Sequence, residues 1–257
     1  MAPGLVSVSQ LSCITTPVSK KHNGEFLNKS IRENFIKNVW RHADAVCFDV
    51  DSTICQDEAI DELANFLGVA KEVERITQQA MNGLLTFREA LKSRLEIMKP
   101  SVDLLNEFIK ANPIRLTEGI KDLVDDLHER KVDVYIVTGG FQQLVLPVAE
   151  LLNVPFSNVF ANELLFDKEG NYIGFDTSKL TSDSGSKNVG KAGVCGFLKK
   201  SYGYKNLVMV GDGATDMEAS PPADAFIGFA GNQLRESVYR KCGWMVYNFD
   251  TLRKNLL

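Results

Sequence analysis

No run of apolar residues in this chain approaches the ~20 needed to cross a bilayer, so nothing in it reads as a membrane span. The five cysteines, Cys13, Cys47, Cys55, Cys195 and Cys242, are scattered, odd in number and without C-x-x-C spacing, which argues against a disulfide framework or a structural zinc and favours a reducing compartment. Histidine is scarce as well: His22 lies near the start, and His42 and His128 sit away from every glycine-marked turn, which leaves serine–histidine hydrolysis with little support. No basic stripe exists. Acidic and basic residues are interspersed and sum to a net charge of -4, so there is no electrostatic footprint for nucleic acid or a membrane surface. The first 24 residues lack Asp, Glu and Arg and are rich in Ser and Thr. They read as part of a flexible N-terminal extension over residues 1–29; the expected location is cytoplasmic, with a plastid or other organelle as the alternative if residues 1–24 act as a transit peptide.

What is present is enough to bury a core: 257 residues, 44% of them hydrophobic. Strand-like apolar runs recur at Ala45–Val50, Val132–Val137, Leu207–Val210, Ala225–Phe229 and Trp244–Tyr247. Between them lie stretches of helical period, such as Ile120, Leu123, Val124 and Leu127, for which Thr117 offers an N-cap, and Leu144, Val145, Val148 and Leu152. This alternation predicts an α/β fold with a doubly wound, mostly parallel sheet. The first two runs are separated by some eighty residues, far more than one crossover helix requires. Residues 57–111 read as helical almost throughout, which divides the chain into a catalytic core (30–56 and 112–257) and an inserted helical-bundle cap (57–111). Hinges are expected near Cys55–Asp57 and Ala111–Arg115, and Leu164–Phe175 reads as a hairpin around Gly170.

The chemistry gathers at strand ends. Asp49 and Asp51 follow the first run, and anions so close need a cation, a shared proton or hydrogen-bond donors. A second acidic turn, Gly211-Asp212-Gly213-Ala214-Thr215-Asp216, follows the Leu207–Val210 run; in a parallel sheet it emerges at the same edge and completes an oxygen-only site of the kind Mg²⁺ prefers. The alternative reading of this turn is a helix cap with a solvated first-turn acid. Thr138-Gly139-Gly140 supplies a hydroxyl and successive backbone N–H groups where a strand enters a helix, either an anion site or an ordinary N-capped turn. Gly185–Lys191 has the spacing G-x-x-x-x-G-K, yet Ala192 stands where Mg²⁺ needs a hydroxyl and no strand precedes it, so a nucleotide phosphate loop is excluded, while Lys191 or Lys187 remains available to phosphate. No dinucleotide fingerprint occurs. Arg94 falls on the apolar stripe of its helix, where a guanidinium wants an anion. Glu58 follows the Asp motif at the hinge.

Taken in order, Asp49-Val50-Asp51-Ser52-Thr53, Thr138-Gly139-Gly140, Lys191 and Gly211–Asp216 resemble the four motifs of the haloacid dehalogenase superfamily of phosphohydrolases. Glu58–Leu63, Arg75–Met81, Arg94, Met217-Glu218-Ala219 and Pro221–Gly228 narrow the resemblance to members acting on O-phosphoserine, over roughly Asp44–Leu257. The resemblance implies Mg²⁺-dependent hydrolysis of O-phosphoserine to serine and phosphate through an aspartyl phosphate, the last step of serine biosynthesis. By this resemblance Asp49 is the nucleophile, and Asp51 the acid that protonates the leaving oxygen and then the base that activates water. The metal is held by Asp49, the backbone carbonyl of Asp51 and Asp212, with Asp216 in support. Thr138, Gly139, Gly140 and Lys191 bind phosphate, with Thr215 beside them. Glu58 reads the ammonium, Arg94 the carboxylate, and Met81 packs over the substrate. Asn82 departs from the pattern, which has glycine there. The implied partner is the small-molecule substrate, with no nucleic acid and no membrane; a homodimer is left open. A phospho-acceptor signalling domain is the alternative from another class, and the acid–base partner Asp51 argues against it.

Overall fold

Ala45–Phe48 (β1) forms the middle of the sheet because all four residues are buried on both faces. In this computed structural model, which describes residues 19–256, β1 pairs in parallel with Asp133–Phe141 (β2) on one side and Leu207–Gly211 (β6) on the other. The remaining strands are Val159–Asn162 (β3), the hairpin Leu164–Phe166 (β4) and Tyr172–Phe175 (β5), Ala225–Phe229 (β7) and Met245–Val246 (β8). The order of the six-stranded sheet is β3-β2-β1-β6-β7-β8, with every pairing parallel, and β4–β5 forms a separate antiparallel ribbon.

The helices are Ser19–Arg41 (α1), Ala59–Phe66 (α2), Ala70–Met81 (α3), Phe87–Met98 (α4), Val102–Ala111 (α5), Ile120–Glu129 (α6), Gln142–Leu151 (α7), Gly190–Tyr202 (α8), Ala214–Glu218 (α9), Glu236–Tyr239 (α10) and Phe249–Lys254 (α11). Because strand side chains alternate between faces, Val46 and Phe48 pack with residues of α1, α6, α7 and α11, whereas Ala45 and Cys47 pack with Val194, Cys195 and Leu198 of α8. Two layers of helix thus cover a doubly wound sheet, as expected. Trp40 locks α1 to the first layer: it is fully buried and its Nε1 donates to Leu252 O at 3.0 Å.

The inserted segment forms α2–α5. Leu63, Val73, Leu91, Leu95, Leu105 and Phe108 make its core and continue into Phe141, Leu144, Leu164 and Phe175, so the bundle is seated on the ribbon and on the end of β2. Thr86 opens α4 with a reciprocal capping box to Glu89 and Ser101 caps α5, two local signals that fix where these helices start. The chain enters and leaves the bundle side by side: Gln56 N donates to Arg115 O at 2.9 Å, Thr117 N to Ile54 O at 2.8 Å, and Arg115 pairs with Asp57.

Several expectations need correction. The extension expected over residues 1–29 lies, up to position 18, outside the described residues, and from Ser19 onward the chain is helical. The first strand stops at Phe48 and not at Val50. The strand β3, only four residues long and followed by the ribbon, was absent from the apolar runs. Thr117 does not cap α6, whose N-cap is Gly119 at φ 80°; its hydroxyl instead donates to Thr53 O at 2.7 Å.

Candidate active site

The register of the two central strand pairs sets the site. Phe48 aligns with Val210 of β6, and Asp49 N donates to Val210 O at 3.0 Å, so the first residue past β1 and the turn past β6 leave the sheet side by side. Asp49 then begins a wide turn through Ile54, in which Ser52 takes the left-handed region at φ 54° and Cys55 N donates to Val50 O at 2.8 Å. Asp49 Oδ1 accepts from Val50 N at 2.8 Å, and Asp51 Oδ1 accepts from Ala59 N at 2.8 Å, at the head of α2. The common aim of the two carboxylates is therefore a product of this turn and not of strand pleating.

Asp49, Asp212 and Asp216 form a buried acidic group whose nearest oxygens lie within 4.8 Å of one another. Gly211 and Gly213 make that possible. A Cβ on Gly211 would fall 2.2 Å from Asp216 Cγ, and Gly213 N donates to Asp216 Oδ2 at 2.9 Å. Asp216, expected only to support the metal shell, is thereby drawn fully inside, and the reading of this turn as a helix cap with a solvated acid is set aside. The Asp51 carboxylate stands outside the group. Lys191, in the first turn of α8, reaches Asp49 Oδ1 at 2.7 Å and Asp216 Oδ1 at 2.6 Å, whereas Lys187 is exposed in the preceding loop. The α8 helix is brought close by Gly193, where a Cβ would fall 2.7 Å from the backbone of Asn188.

A residue missed in the sequence completes the ring of charge. Arg235 donates from Nε to Asp212 Oδ2 at 2.5 Å and from Nη2 to Glu58 Oε1 at 2.7 Å. Glu58 also accepts from Ser52 Oγ at 2.9 Å. The only available signal was a cation following the turn Gly231-Asn232-Gln233, which a parallel sheet brings to the same edge.

At the third strand end a helix does open close to Phe141, as expected, but Thr138 is not its N-cap. β2 continues through Thr138, Gly139 and Gly140 to Phe141, with a shift in its register to β3, and α7 starts only at Gln142. Gly140 N donates to Thr138 Oγ1 at 2.9 Å and Asn162 Nδ2 donates to Gly139 O at 2.8 Å. A Cβ on Gly139 would meet the ring of Phe87, from α4, at 2.9 Å, so a side chain there would push that ring aside.

All of these groups line one cavity of 440 Å³ between core and bundle: Asp49, Asp51, Glu58, Met81, Arg94, Thr138, Gly139, Gly140, Lys191, Asp212 and Thr215 on the sequence reading, joined by Asp216 and Arg235. Met81 is largely exposed at its lip. Asn82 ends α3 and is exposed. Among the described residues Arg94 has no carboxylate in ion-pair range and donates only to its own helix, from Nε to Ala90 O at 3.3 Å.

Electrostatics follow from this crowding. Burial, then Glu58 and Asp49, push the Asp51 carboxyl up to about 8. Burial and Asp49 also raise Asp216 and Asp212, with Lys191 easing the first and Arg235 the second. For Lys191 burial works against the charge, but Asp216 and Asp49 outweigh it and hold the ammonium above its ordinary range. Three buried carboxylates against two contacting cations leave a negative surplus on an all-oxygen donor set, which fits a hard divalent ion. The same surplus sets a pH dependence. A folded state that keeps protons above the usual carboxylate range of about 4 binds more of them than the unfolded chain, so the metal-free protein loses stability as pH rises from about 4 to about 8. Urea unfolding in EDTA is expected to show a lower midpoint at pH 8 than at pH 5; an equal or higher one would contradict this balance.

Residues 43–224 match the family of haloacid dehalogenase-like hydrolases, and the chain belongs to that family. It is 48% identical over 217 residues to the rat phosphoserine phosphatase, covering 84% of this chain and 95% of the rat protein. With the chloroplastic phosphoserine phosphatase of Arabidopsis thaliana it shares 47% identity over 223 residues, 86% of this chain and 74% of the relative. Among solved structures, a phospho-aspartyl intermediate analogue of phosphoserine phosphatase superposes with a TM-score of 0.70 at 28% identity, over 84% of this chain and 99% of that one. No helix among the described residues is long and apolar enough to cross a membrane.

Proposed function

We infer that this enzyme hydrolyses O-phospho-L-serine to L-serine and phosphate, the closing step of serine formation, through an aspartyl phosphate on Asp49. The observation that carries this reading is a single cavity with two chemically distinct ends: Asp49, Lys191, Asp212 and Asp216 on the core side and the unpaired Arg94 on the cap side. An amino acid esterified with phosphate has the matching anions at its two ends.

In this mechanism a carboxylate oxygen of Asp49 forms a bond to phosphorus as the bond from phosphorus to the serine oxygen breaks. Asp51 gives its proton to that oxygen, since an alkoxide is a poor leaving group. It then takes a proton from water, whose oxygen bonds to phosphorus and frees Asp49. Lys191 and the Thr138 hydroxyl hold phosphoryl oxygens, with Gly139, Gly140 and Thr215 shaping that end. Glu58 receives the ammonium and Arg94 the carboxylate, while Met81 and Phe87 limit the access of water. Asp49, Asp212 and Asp216, with the carbonyl of Asp51, would hold Mg²⁺, which when bound offsets the repulsion between carboxylate and phosphate. We place the protein in the cytoplasm, with plastid import through residues 1–24 as the alternative; imaging of a C-terminally tagged full chain separates them.

The test is phosphate release from phosphoserine, phosphothreonine and phosphoethanolamine, with and without Mg²⁺. Phosphoserine with Mg²⁺ is expected to be the best substrate, and equal use of phosphoethanolamine, which has no carboxylate, would overturn the assignment. An Arg94→Ala protein sharpens it. Losing a charge-assisted contact of ~1.5–3 kcal/mol should raise KM for phosphoserine by about 10- to 100-fold, leaving that for phosphoethanolamine within about threefold.

A further inference from the structure

Arg235 stands between the two ends of the cavity in an unusual way. Its guanidinium is split: Nε is on Asp212, one of the buried core acids, and Nη2 is on Glu58, the acid at the cap hinge. Neither acid has another cation in ion-pair contact among the described residues. The segment that carries Arg235 is also tied to the hinge turn. Asn232 Nδ2 donates to Thr117 Oγ1 at 2.7 Å and lies 3.2 Å from Ser52 O and 3.3 Å from Cys55 O, and Ser52 Oγ lies 3.4 Å from Gln233 Oε1. The fork is thus held in place at the hinge, with only about a quarter of the side chain exposed.

We propose that Arg235 is an internal counter-cation, a positioning residue that yields Asp212 to the divalent ion and Glu58 to the ammonium of the amino acid, so that one guanidinium couples the two binding events. The proposal rests on the phosphoserine reading of the cavity. Its logic is competition. A cation bonded to Asp212 must be displaced, or must repel, before a divalent ion can use that carboxylate fully. A cation bonded to Glu58 competes likewise with an incoming ammonium. Once either ligand has released its half of the fork, the guanidinium is held by one acid in place of two and the other half leaves more easily. By linkage, metal then favours amino acid and amino acid favours metal to the same degree. Lys191 does not act in this way, because its partners are Asp49 and Asp216, both of the core, and among the described residues it pairs with no acid of the cap.

The experiment uses binding and not turnover. Titration calorimetry of MgCl₂ is carried out on the full-length native chain, on R235Q and on R235K, each with and without saturating L-serine, the product. In the native protein serine is expected to tighten Mg²⁺ binding about tenfold. R235Q should bind Mg²⁺ alone about tenfold more tightly than the native protein and should no longer respond to serine. R235K keeps one charge but cannot span both acids, so it should stay within about threefold of native for Mg²⁺ alone and lose the response to serine. Far-UV circular dichroism establishes that the variants are folded, and R235K carries the test if R235Q is not. Mg²⁺ binding in R235Q that equals or falls below native overturns the proposal. So does an R235K protein with full serine coupling. Tighter Mg²⁺ binding in R235Q with no effect of serine on any of the three proteins overturns the coupling and the phosphoserine reading together. Failure of the metal arm alone, with phosphoserine still the best substrate, overturns only the role of Arg235.

Discussion

An Asp49→Asn protein is expected to fold normally and to release phosphate from phosphoserine at least about 1,000-fold more slowly than its parent. Asparagine has almost the same shape, and its amide oxygen can still accept from Val50 N as the Asp49 carboxylate does at 2.8 Å. Lys191 would keep its contact with Asp216 at 2.6 Å, so the buried cation is not stranded. What is lost is the anionic oxygen that bonds to phosphorus. The variant should also bind phosphate more readily, since one of the carboxylates repelling it is gone. Single-turnover phosphate release at saturating phosphoserine and Mg²⁺, alongside thermal melting, is the measurement. Turnover within tenfold of the parent, with an unchanged melting curve, would mean that some other group takes the phosphoryl.

Replacing Lys191 should produce the largest loss of stability. Its side chain is almost wholly buried and is the shared partner of two carboxylates that are themselves buried. Taking away one partner from such a cluster leaves uncompensated charge inside the protein, which costs about 3–5 kcal/mol, far more than an exposed ion pair. Lys191→Met fills nearly the same volume and so isolates the charge. Urea unfolding in EDTA is expected to show that loss at pH 8 and a smaller one at pH 5, because burial raises Asp216 and Asp212 and a lower pH favours protons in place of the missing ammonium. A loss below about 1 kcal/mol at pH 8 would show that the cluster does not depend on the lysine. Phosphate release should fall as well, because nothing else buried at that end carries a fixed positive charge toward phosphate.

How much of this was legible in the sequence depended on whether a signal was local. Helices α2–α5 have apolar spacing and capping residues such as Thr86 and Ser101 within their own segments, so the cap could be read directly. The same holds for Asp49, Asp212 and Lys191, which follow strong strand runs or a glycine-marked turn. Signals that depend on tertiary pairing could not be read. The four residues of β3 become a strand because β2 offers an edge beside them. Thr138–Gly140 has the composition of a helix-opening turn, yet β2 carries on through it across a break in register to Phe141, with Asn162 of β3 donating its side-chain amide to Gly139 O. Thr117 has the type of an N-cap, yet its hydroxyl is claimed by Thr53 across a distance of 64 residues. Arg235 gave only the weak signal of a cation after a turn, because both of its partners lie more than 20 residues away, one of them on the far side of the cap.

The paired entry and exit of the cap isolate it from the sheet along the backbone. Because Cys55 and Leu116 bridge one another and Gln56 meets Arg115, the chain leaves the core and rejoins it through two adjoining peptide segments, much as a pendant is fastened by a clasp, and only side-chain packing holds the rest of the cap to the body. Whatever is threaded there can be lengthened, shortened or exchanged without disturbing the alignment of β1 with β6. Lineages could therefore alter the choice of leaving group by trading pendants, while the phosphorus-handling machinery beneath stays as it is.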